Sequence, residues 1–377
     1  MIYLYRLLYF LLKNVVLLIR AFLNPSLQKW IALRNTLLPG SRPSAQAYWF
    51  HAASGEIEYC KSVIRLLKQQ EPEAQIVVTY TSPSAENLFH NIKNDVALFL
   101  PLPWDQPQHC RRLLDFINPK ILVFSRTDLW PELITQVKKR GIPLGLLSAL
   151  PQKSASQRWL RGQFDFISSV EHDGDTRFDQ VFFRLEQPPK MTIAAGQKVF
   201  VCGSTWPEDE AVLFKIFPKL LQENTKIVLS PHDVSPANIS RLAIEIKKNG
   251  WSFELPTADA GHNRTILLID RIGILADAYR FADLAFVGGS FKDKIHSVME
   301  ALCCGVPVLT GPFYRNNPEA VKYEGKYVFP ATTADEMLQN AHRCQQLPKE
   351  EIRNEMQKNK NASLRVLKLI RDTILKK

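Results

Sequence analysis

Short runs of aliphatic and β-branched residues alternate with helical stretches along most of this 377-residue chain, and this alternation limits the possible folds most. Runs such as Gln75–Thr79 and Ile121–Ser125 are apolar at almost every position rather than at every second one. A strand of that kind is buried on both faces, which is typical of a parallel sheet with helices on each side. The sequence therefore predicts an α/β protein with doubly wound sheets.

The alternation occurs twice, which indicates two such halves. The first half predicts strands at Ala47–Ala52, Gln75–Thr79, Ala97–Leu100, Ile121–Ser125 and Ile142–Leu147, with helices at Ile57–Gln69 and Pro131–Arg140. The second predicts strands at Lys198–Cys202, Lys226–Leu229, Thr265–Ile269, Leu284–Val287 and Val306–Leu309, with helices from Glu208 and at Ala237–Asn249, Ile274–Phe281 and Ser297–Cys304.

The predicted hinge between the halves is the stretch 175–198, which carries Pro188-Pro189 and few apolar residues, as linkers do. We expect a ligand site in the cleft between two Rossmann-like domains, because ligands of such sheets bind where strands end. The predicted segments are an N-terminal helix with a basic linker, the two domains, and a basic C-terminal helix. Their bounds are 1–40, 41–180, 181–348 and 349–377. By analogy with other two-half folds, the last helix is expected to return to the first domain.

The charge balance favours anionic partners. Lys and Arg number 48 against 37 Asp and Glu, which gives a formal net charge of +11. Nucleic acid is disfavoured, because the basic excess accompanies an apolar helix and no zinc finger, RRM signature or basic zipper occurs. The six cysteines form no C-x-x-C pair and no zinc-type spacing, so we interpret them as reduced thiols of a cytosolic protein.

The first 23 residues are strongly apolar, but Arg6, Lys13 and Arg20 interrupt them at every seventh position. This spacing places the three cations on one helical face, and the uncharged runs are too short for a membrane span. No acidic residue precedes Glu56, and six cations do, which we interpret as a lipid-binding patch: Arg6, Lys13, Arg20, Lys29, Arg34 and Arg42. We predict a helix that lies in the membrane interface and binds anionic lipid through its cations. A true span and a helix buried in the core stay open as alternatives.

Glu56 is a candidate general base. It follows Ser54-Gly55 at a predicted strand-to-helix turn, where Ser54 suits the N-cap. The positive end of the helix dipole would favour the ionised carboxylate, which can accept a proton from a hydroxyl. The alternative is that Glu56 merely occupies the helix end.

Two further loops lie between a predicted strand and a helix. Thr205 and Glu208 have the spacing of a capping box, as have Ser297 and Glu300 after the Gly288-Gly289 pair. Such loops also bind nucleotide phosphates through free backbone N–H groups, so capping and ligand binding both stay open.

Asp173-Gly174-Asp175, where the predicted hinge begins, has the D-x-D pattern that some transferases use for a metal, but we interpret it as a turn and expect no metal. Arg177 in the same stretch is either a cation for a developing phosphate charge or a solvated linker residue.

Together, these segments resemble the Kdo transferases over nearly the whole chain. The motifs are HAASGE (51–56), TYTSPSA (79–85), RTDLWPEL (126–133), GDTRFD (174–179), GSTWPEDE (203–210), SPHD (230–233), ADLAFVGGS (282–290) and IHSVMEALCCGVPVLTGP (295–312). Kdo transferases are GT-B glycosyltransferases that move 3-deoxy-D-manno-octulosonic acid (Kdo) from CMP-Kdo to a lipid A precursor. The resemblance implies an inverting transferase without metal or other cofactor at the cytoplasmic face of the inner membrane. Its domain 41–180 would bind the acceptor, and 181–348 the CMP-sugar.

The resemblance also implies roles for particular residues. Glu56 matches the proton acceptor, and Arg126 and Arg177 match positions that support the transition state. The implied CMP contacts are Pro231, His232, Ile272, Gly273, Ile274, Ser297, Val298, Met299 and Glu300.

The chain departs from the common family pattern at three of these positions. Arg126 replaces a carboxylate, His232 replaces an arginine, and Ile274 replaces an acidic residue. Two alternatives therefore stay open: a GT-B glycosyltransferase for another nucleotide sugar, and a non-catalytic membrane-bound paralogue.

Overall fold

A computed structural model of the chain describes residues 2–19, 22, 24–151, 155–194, 196–256 and 266–376, except the side chains of residues 87 and 155–157. The chain divides into two compact units. The first comprises Met1–Gln180 and Asn359–Lys377, and the second comprises Val181–Lys358.

The first unit is built on a six-stranded parallel sheet of order β3-β2-β1-β4-β5-β6. The strands are β1 (Ala47–His51), β2 (Gln75–Tyr80), β3 (Leu98–Pro101), β4 (Pro119–Ser125), β5 (Leu144–Leu147) and β6 (Phe166–Ile167). The helices are α1 (Ile2–Leu18), α2 (Pro25–Arg34), α3 (Glu58–Gln70), α4 (Pro107–Ile117), α5 (Pro131–Lys139), α6 (Ala155–Arg161), α7 (Val170–Asp173) and α8 (Thr176–Glu186), the last of which continues into the second unit.

The second unit is built on a seven-stranded parallel sheet of order β13-β12-β11-β7-β8-β10-β9. Its strands are β7 (Lys198–Thr205), β8 (Thr225–Pro231), β9 (Phe253–Glu254), β10 (Ile266–Leu268), β11 (Leu284–Val287), β12 (Val308–Thr310) and β13 (Val328–Pro330). Its helices are α9 (Pro207–Gln222), α10 (Pro236–Lys248), α11 (Leu275–Ala278), α12 (Met299–Cys303), α13 (Pro318–Lys322), α14 (Ala334–Cys344) and α15 (Lys349–Gln357). The final helix, α16 (Ala362–Leu375), belongs to the first unit.

Strand β1 shows why the apolar runs gave the fold class correctly. Tyr48 and Phe50 pack into a core with α3 and α16, whereas Ala47 and Trp49 pack into a second core with α4 and α5. All five residues of β1 are buried, because helices cover both faces of the sheet. The prediction of doubly wound parallel sheets is confirmed. Thr265, at the start of one predicted strand, lies outside the described residues.

The predicted hinge is not an apolar-poor linker. Residues 176–186 form α8, in which Phe178 and Phe182 are buried. Apolar residues occur here with helical spacing, at Phe178, Val181, Phe182 and Leu185. The sequence interpretation missed this signal.

The C-terminal segment is not the single helix 349–377 that was predicted, but its last part returns to the first unit as expected. It is divided between α15 and α16 by a turn at residues 358–361. Helix α16 packs on α3, with Val366 and Ile370 in the same core as Val63.

The N-terminal helix is present, but its cations do not face outward as predicted. Arg6 binds Glu132, and Lys13 donates a hydrogen bond to Gln106. Arg34, also assigned to the lipid-binding patch, is buried and donates to two backbone carbonyls, while Arg20 lies outside the described residues. The exposed side chains of α1 are instead apolar: Tyr3, Leu4, Leu7, Leu8, Phe10, Leu11, Leu12, Val15 and Leu18. Within the described residues, no helix combines the length and hydropathy that crossing a membrane requires.

Candidate active site

Glu56 lies in a 3-10 turn, Gly55–Ile57, that joins β1 to α3. Its Oε1 accepts a hydrogen bond from the Thr127 hydroxyl at 2.5 Å. Its Oε2 is buried and has no hydrogen-bond partner among the described residues. A carboxylate oxygen without a partner inside a protein is costly, and an incoming hydroxyl would satisfy it.

The predicted cap at this turn is absent. Ser54 precedes the turn, but its hydroxyl pairs with the Ser84 hydroxyl at 2.7 Å instead of a backbone N–H of the turn. Helix α3 begins only at Glu58, so Glu56 does not lie in the first turn of an α-helix.

The electrostatic state of Glu56 also differs from the expectation. Burial raises the pKa of the carboxyl above its ordinary value, and the charge of Asp128 adds to the rise. The Thr127 hydrogen bond and the positive charge of Arg126 oppose the rise without reversing it. A raised pKa suits a general base, because a stronger base accepts a proton more readily.

Asp128 is a site residue that the sequence interpretation missed. Burial by itself would raise its pKa, but hydrogen bonds from His51 and Thr81, with the charge of His51, lower the pKa to about 2. His51 Nε2 lies 3.0 Å from Asp128 Oδ2, and His51 Nδ1 lies 2.8 Å from the Thr79 hydroxyl. The available signal was its position, since a polar side chain just after β4 lies at the edge of the sheet where ligands bind.

Arg126 and Arg177 meet on one aromatic ring. The guanidinium carbon of each lies 4.5 Å from the ring centroid of Tyr59, and Arg126 also donates a hydrogen bond to the Tyr59 hydroxyl. Arg126 has a left-handed backbone, with φ of +58°. Tyr59 thus brings together two cations that lie 51 positions apart in the chain. The structure places all three predicted catalytic residues around Tyr59 and the 126–128 segment.

Arg177 is not a solvated linker residue, because its guanidinium forms a bidentate pair with the buried Asp175 at 2.5–3.1 Å. Asp173, the other acid of the D-x-D pattern, accepts a hydrogen bond from the Ser169 backbone N–H. In the described part of the chain, no group of three or more His, Cys, Asp or Glu side chains has the arrangement of a metal site.

In the second unit, the buried carboxylate of Asp209 organises the two glycine-containing loops. It accepts hydrogen bonds from the backbone N–H groups of Trp206, Gly289 and Phe291 at 2.7–2.9 Å. Burial raises the pKa of Asp209, although these three hydrogen bonds oppose the rise. The helix cap therefore pairs Trp206 with Asp209, one residue later than the predicted Thr205 and Glu208.

The Gly288-Gly289 pair has a packing role. A Cβ on Gly288 would come within 2.2 Å of the Ser204 carbonyl oxygen, and Gly289 has a φ of +82°. The Gly289 N–H is bound to Asp209, so this amide does not project toward a phosphate.

Pro231 ends β8, and His232 follows it in an aromatic cluster. The His232 ring stacks on Trp206 and on His296, with both centroid distances 4.6 Å. Trp206 Nε1 donates to His296 Nε2 at 3.3 Å, so these two rings lie side by side and His232 covers both. Lys292 Nζ lies 3.3 Å from the Trp206 centroid. His232 thus lies close to the segment that precedes Ser297.

Arg184 links the other two predicted CMP-binding segments. Its guanidinium donates to the Gly273 carbonyl oxygen at 3.1 Å and to Glu300 Oε1 at 3.0 Å. Sequence interpretation missed Arg184, because it lies in the stretch that was assigned to the hinge. Ile272 is 86% exposed beside this link, whereas Ile274 is buried.

Ser297 and Glu300 do not form the predicted capping box. Helix α12 begins at Met299, and its N-cap residue, Val298, makes no side-chain cap. The Ser297 hydroxyl accepts a hydrogen bond from the Met299 N–H at 3.3 Å, and the side chains of Val298 and Met299 are buried.

Comparisons with known proteins agree with this architecture. The family model described as 3-deoxy-D-manno-octulosonic-acid transferase (kdotransferase) matches residues 29–203. The 3-deoxy-D-manno-octulosonic acid transferase of Chlamydophila psittaci is 28% identical over 320 residues, covering 75% of this chain and 72% of that protein. The enzyme of the same name from Aquifex aeolicus is 26% identical over 286 residues, covering 71% and 76%.

The UDP-GlcNAc 2-epimerase of Neisseria meningitidis superposes with a TM-score of 0.59 at 14% identity, covering 88% of this chain and 100% of that one. That likeness concerns the fold alone and indicates a GT-B-like architecture. The family match and the similarity to these relatives along most of the chain lead to one conclusion: the chain is similar to the Kdo transferases.

Proposed function

We propose that this protein transfers Kdo from CMP-Kdo to a lipid A precursor with inversion at the anomeric carbon. The observation that carries the proposal is the state of Glu56. One carboxylate oxygen is held by Thr127, and the other is buried without a partner among the described residues. Its raised pKa makes it a stronger base than an ordinary glutamate.

In the proposed reaction, Glu56 Oε2 accepts the proton of an acceptor hydroxyl. The resulting oxygen nucleophile attacks the anomeric carbon of Kdo, the bond from that carbon to the CMP phosphate breaks, and CMP leaves. One displacement inverts the configuration. Arg126 and Arg177 supply positive charge for the departing phosphate or the Kdo carboxylate.

Two segments of the second unit would hold the CMP group. His232 offers an aromatic face in the cluster with Trp206 and His296. Ile272 is exposed beside the link that Arg184 makes between Gly273 and Glu300. With Pro231, Ile274 and Ser297–Met299, these residues form the proposed donor site.

We further propose catalysis without a metal ion. The acidic side chains around Glu56 are already engaged, Asp128 by His51 and Thr81 and Asp175 by Arg177. EDTA should therefore leave the transfer rate unchanged, and a loss of activity that Mg²⁺ or Mn²⁺ restores would contradict this part of the proposal.

We also propose a place at the cytoplasmic face of the inner membrane, and the apolar face of α1 supports the membrane contact that this requires. Its exposed leucines and aromatics would enter the lipid interface, where the acceptor resides. Because Arg6 and Lys13 bind within the protein, apolar burial rather than headgroup charge would supply most of the affinity. Vesicle pelleting should therefore be only weakly salt-dependent.

A mass-spectrometric transfer assay tests the proposed reaction. Purified protein in detergent is mixed with freshly generated CMP-Kdo and tetraacylated lipid A precursor. A product heavier by one or more whole Kdo units is expected, with CMP but not UDP as a competitive inhibitor. Competition by UDP without a Kdo product would instead support a different nucleotide sugar, and turnover of neither donor would support a non-catalytic paralogue.

A further inference from the structure

Helix α1 is held to the first unit by its polar side chains. The Arg6 guanidinium makes two hydrogen bonds to the Glu132 carboxylate, at 2.7 and 3.0 Å, and the Glu132 side chain is fully buried. The Tyr5 hydroxyl donates to Asp105 Oδ2 at 2.7 Å, and the Tyr9 hydroxyl accepts the Asp105 backbone N–H at 3.1 Å. The side chains predicted to contact lipid headgroups and their aromatic neighbours therefore form a protein interface.

This interface reaches the first turn of α5. The buried Asp105 carboxylate accepts the backbone N–H groups of Glu132 and Leu133, at 2.8 and 2.9 Å. These groups have no partner within the helix, and Asp105 supplies the cap from outside it. Tyr9 adds an edge-to-face contact with Trp130, the residue before α5.

The segment that leads into α5 carries part of the candidate active site. Arg126, Thr127 and Asp128 lie between the end of β4 and Pro131, so the position of the first turn of α5 limits where these residues can lie. Thr127 holds Glu56, and Asp128 and Arg126 both influence its charge.

We propose that Arg6 is a positioning residue for the active site, acting through Glu132 and the first turn of α5. Glu132 is buried, and within the described residues its side chain accepts hydrogen bonds from Arg6 and from the neutral Gln136. Removing the Arg6 charge would leave a buried carboxylate without its countercharge, which a folded chain relieves by local rearrangement. Helix α1 would then help to position the active-site residues, in addition to the membrane contact proposed above. The effect on catalysis rests on the proposed function, whereas the effect on the 126–133 segment does not.

The test compares Arg6→Met with Lys13→Met, because both remove one cation from α1. The Lys13 partner is the neutral Gln106, so the control leaves no buried carboxylate unpaired. Arg6→Met/Glu132→Gln removes both charges of the pair. Hydrogen exchange of residues 126–133, thermal stability, vesicle pelleting and kcat/KM in detergent are measured for each variant.

In Arg6→Met, exchange at residues 126–133 should accelerate and kcat/KM should fall by about tenfold, because a buried charge loses its partner. Vesicle pelleting should match that of Lys13→Met, whose exchange and kcat/KM should stay near those of the unmodified protein. In the double variant, the exchange of residues 126–133 and kcat/KM should both return most of the way to those of the unmodified protein. Equal behaviour of Arg6→Met and Lys13→Met, or a double variant as impaired as Arg6→Met, would overturn the proposal. Exchange is measurable without substrate, so this result is separate from the fate of the proposed reaction.

Discussion

The predicted sites of the two units consist of different kinds of side chain. In the first unit, Glu56, Arg126 and Arg177 gather around Tyr59 and the 126–128 segment, so charged side chains form the site. In the second, most of the predicted side chains are uncharged, such as the exposed Ile272 and the ring of His232, and the one carboxylate, Glu300, is paired with Arg184. Under the proposed function, this difference corresponds to proton transfer and charge balance in the first unit and to nucleotide binding in the second. Loss of one side chain should therefore cost more in the first unit's chemistry than in the second unit's binding.

Glu56→Gln should have the largest effect on activity. Transfer should fall by about 10²–10⁴-fold, the usual size of general-base catalysis. Because burial raises the pKa of Glu56, the acidic limb of the kcat/KM profile of the unmodified protein should lie above the pKa of an ordinary glutamate.

For the stability of Glu56→Gln we expect no loss, in contrast to the expected loss of activity. A carboxyl whose pKa is raised by folding contributes stability below its unfolded pKa and loses it as the pH rises through the folded value. Glu56→Gln should therefore be at least as stable as the unmodified protein at neutral pH. Thermal denaturation checks this, and a lower melting temperature would contradict the stability prediction.

Among variants of the second unit, Asp209→Ala should have the largest effect, and this effect is on the free energy of unfolding rather than on activity. It leaves three backbone N–H groups without their acceptor, at a cost of about 3 kcal/mol or more in the free energy of unfolding. Asp209→Asn, which keeps one oxygen acceptor, should lose less. If urea denaturation shows no decrease in the free energy of unfolding of Asp209→Ala, other contacts hold the two loops.

Tyr59→Leu should have an intermediate effect on catalysis. Two guanidinium–ring contacts of about 0.5–1 kcal/mol each are lost, which corresponds to roughly a tenfold fall in kcat/KM. Tyr59→Phe keeps the ring and removes only the hydroxyl that Arg126 binds, so it should retain more activity. Equal losses in the two variants would mean that the hydroxyl, not the ring, holds the two cations.

The smallest effects are expected in the donor site. Ile272→Ala should raise the KM for CMP-Kdo by about twofold to threefold without changing kcat or stability, because an exposed side chain there contributes only apolar contact. Ile244→Ala is the matched control, since Ile244 is 68% exposed on α10 of the same unit. A changed kcat in Ile272→Ala, or the same KM shift in the control, would remove Ile272 from the donor site.

Much of the architecture could be predicted because it depends on local patterns. The apolar runs of β1 and β4 identified parallel strands buried on both faces, and the structure has those strands. Helix α8 was missed although its apolar spacing was present, because Pro188-Pro189 favoured a linker. The cap of α9 was predicted one residue too early, because the buried Asp209 binds the Trp206 N–H together with those of Gly289 and Phe291. The predicted capping box of α12 is absent.

The candidate site could be predicted only in part. Glu56 was a candidate from its place at a predicted strand-to-helix turn, and Arg177 from its charge beside the predicted hinge. Arg126 came from the resemblance alone, and nothing in the sequence related the three residues to one another. Tyr59 and Arg184 carried no sequence signal, because each acts on residues at least 67 positions away in the chain. Contacts at such separations exist only after the sheets have formed.

By itself, the sequence determined the repeated strand–helix pattern, the two sheets and the motifs of the family, since these depend on residue type and spacing. The tertiary structure decided which way the cations of α1 turn. It also decided that burial raises the pKa of Glu56. Each of these outcomes depends on desolvation and pairing by groups remote in sequence: Glu132 lies 126 positions from Arg6, and Thr127 lies 71 positions from Glu56. Charge and hydrogen bonding act through space, so these properties were set only when the chain had folded.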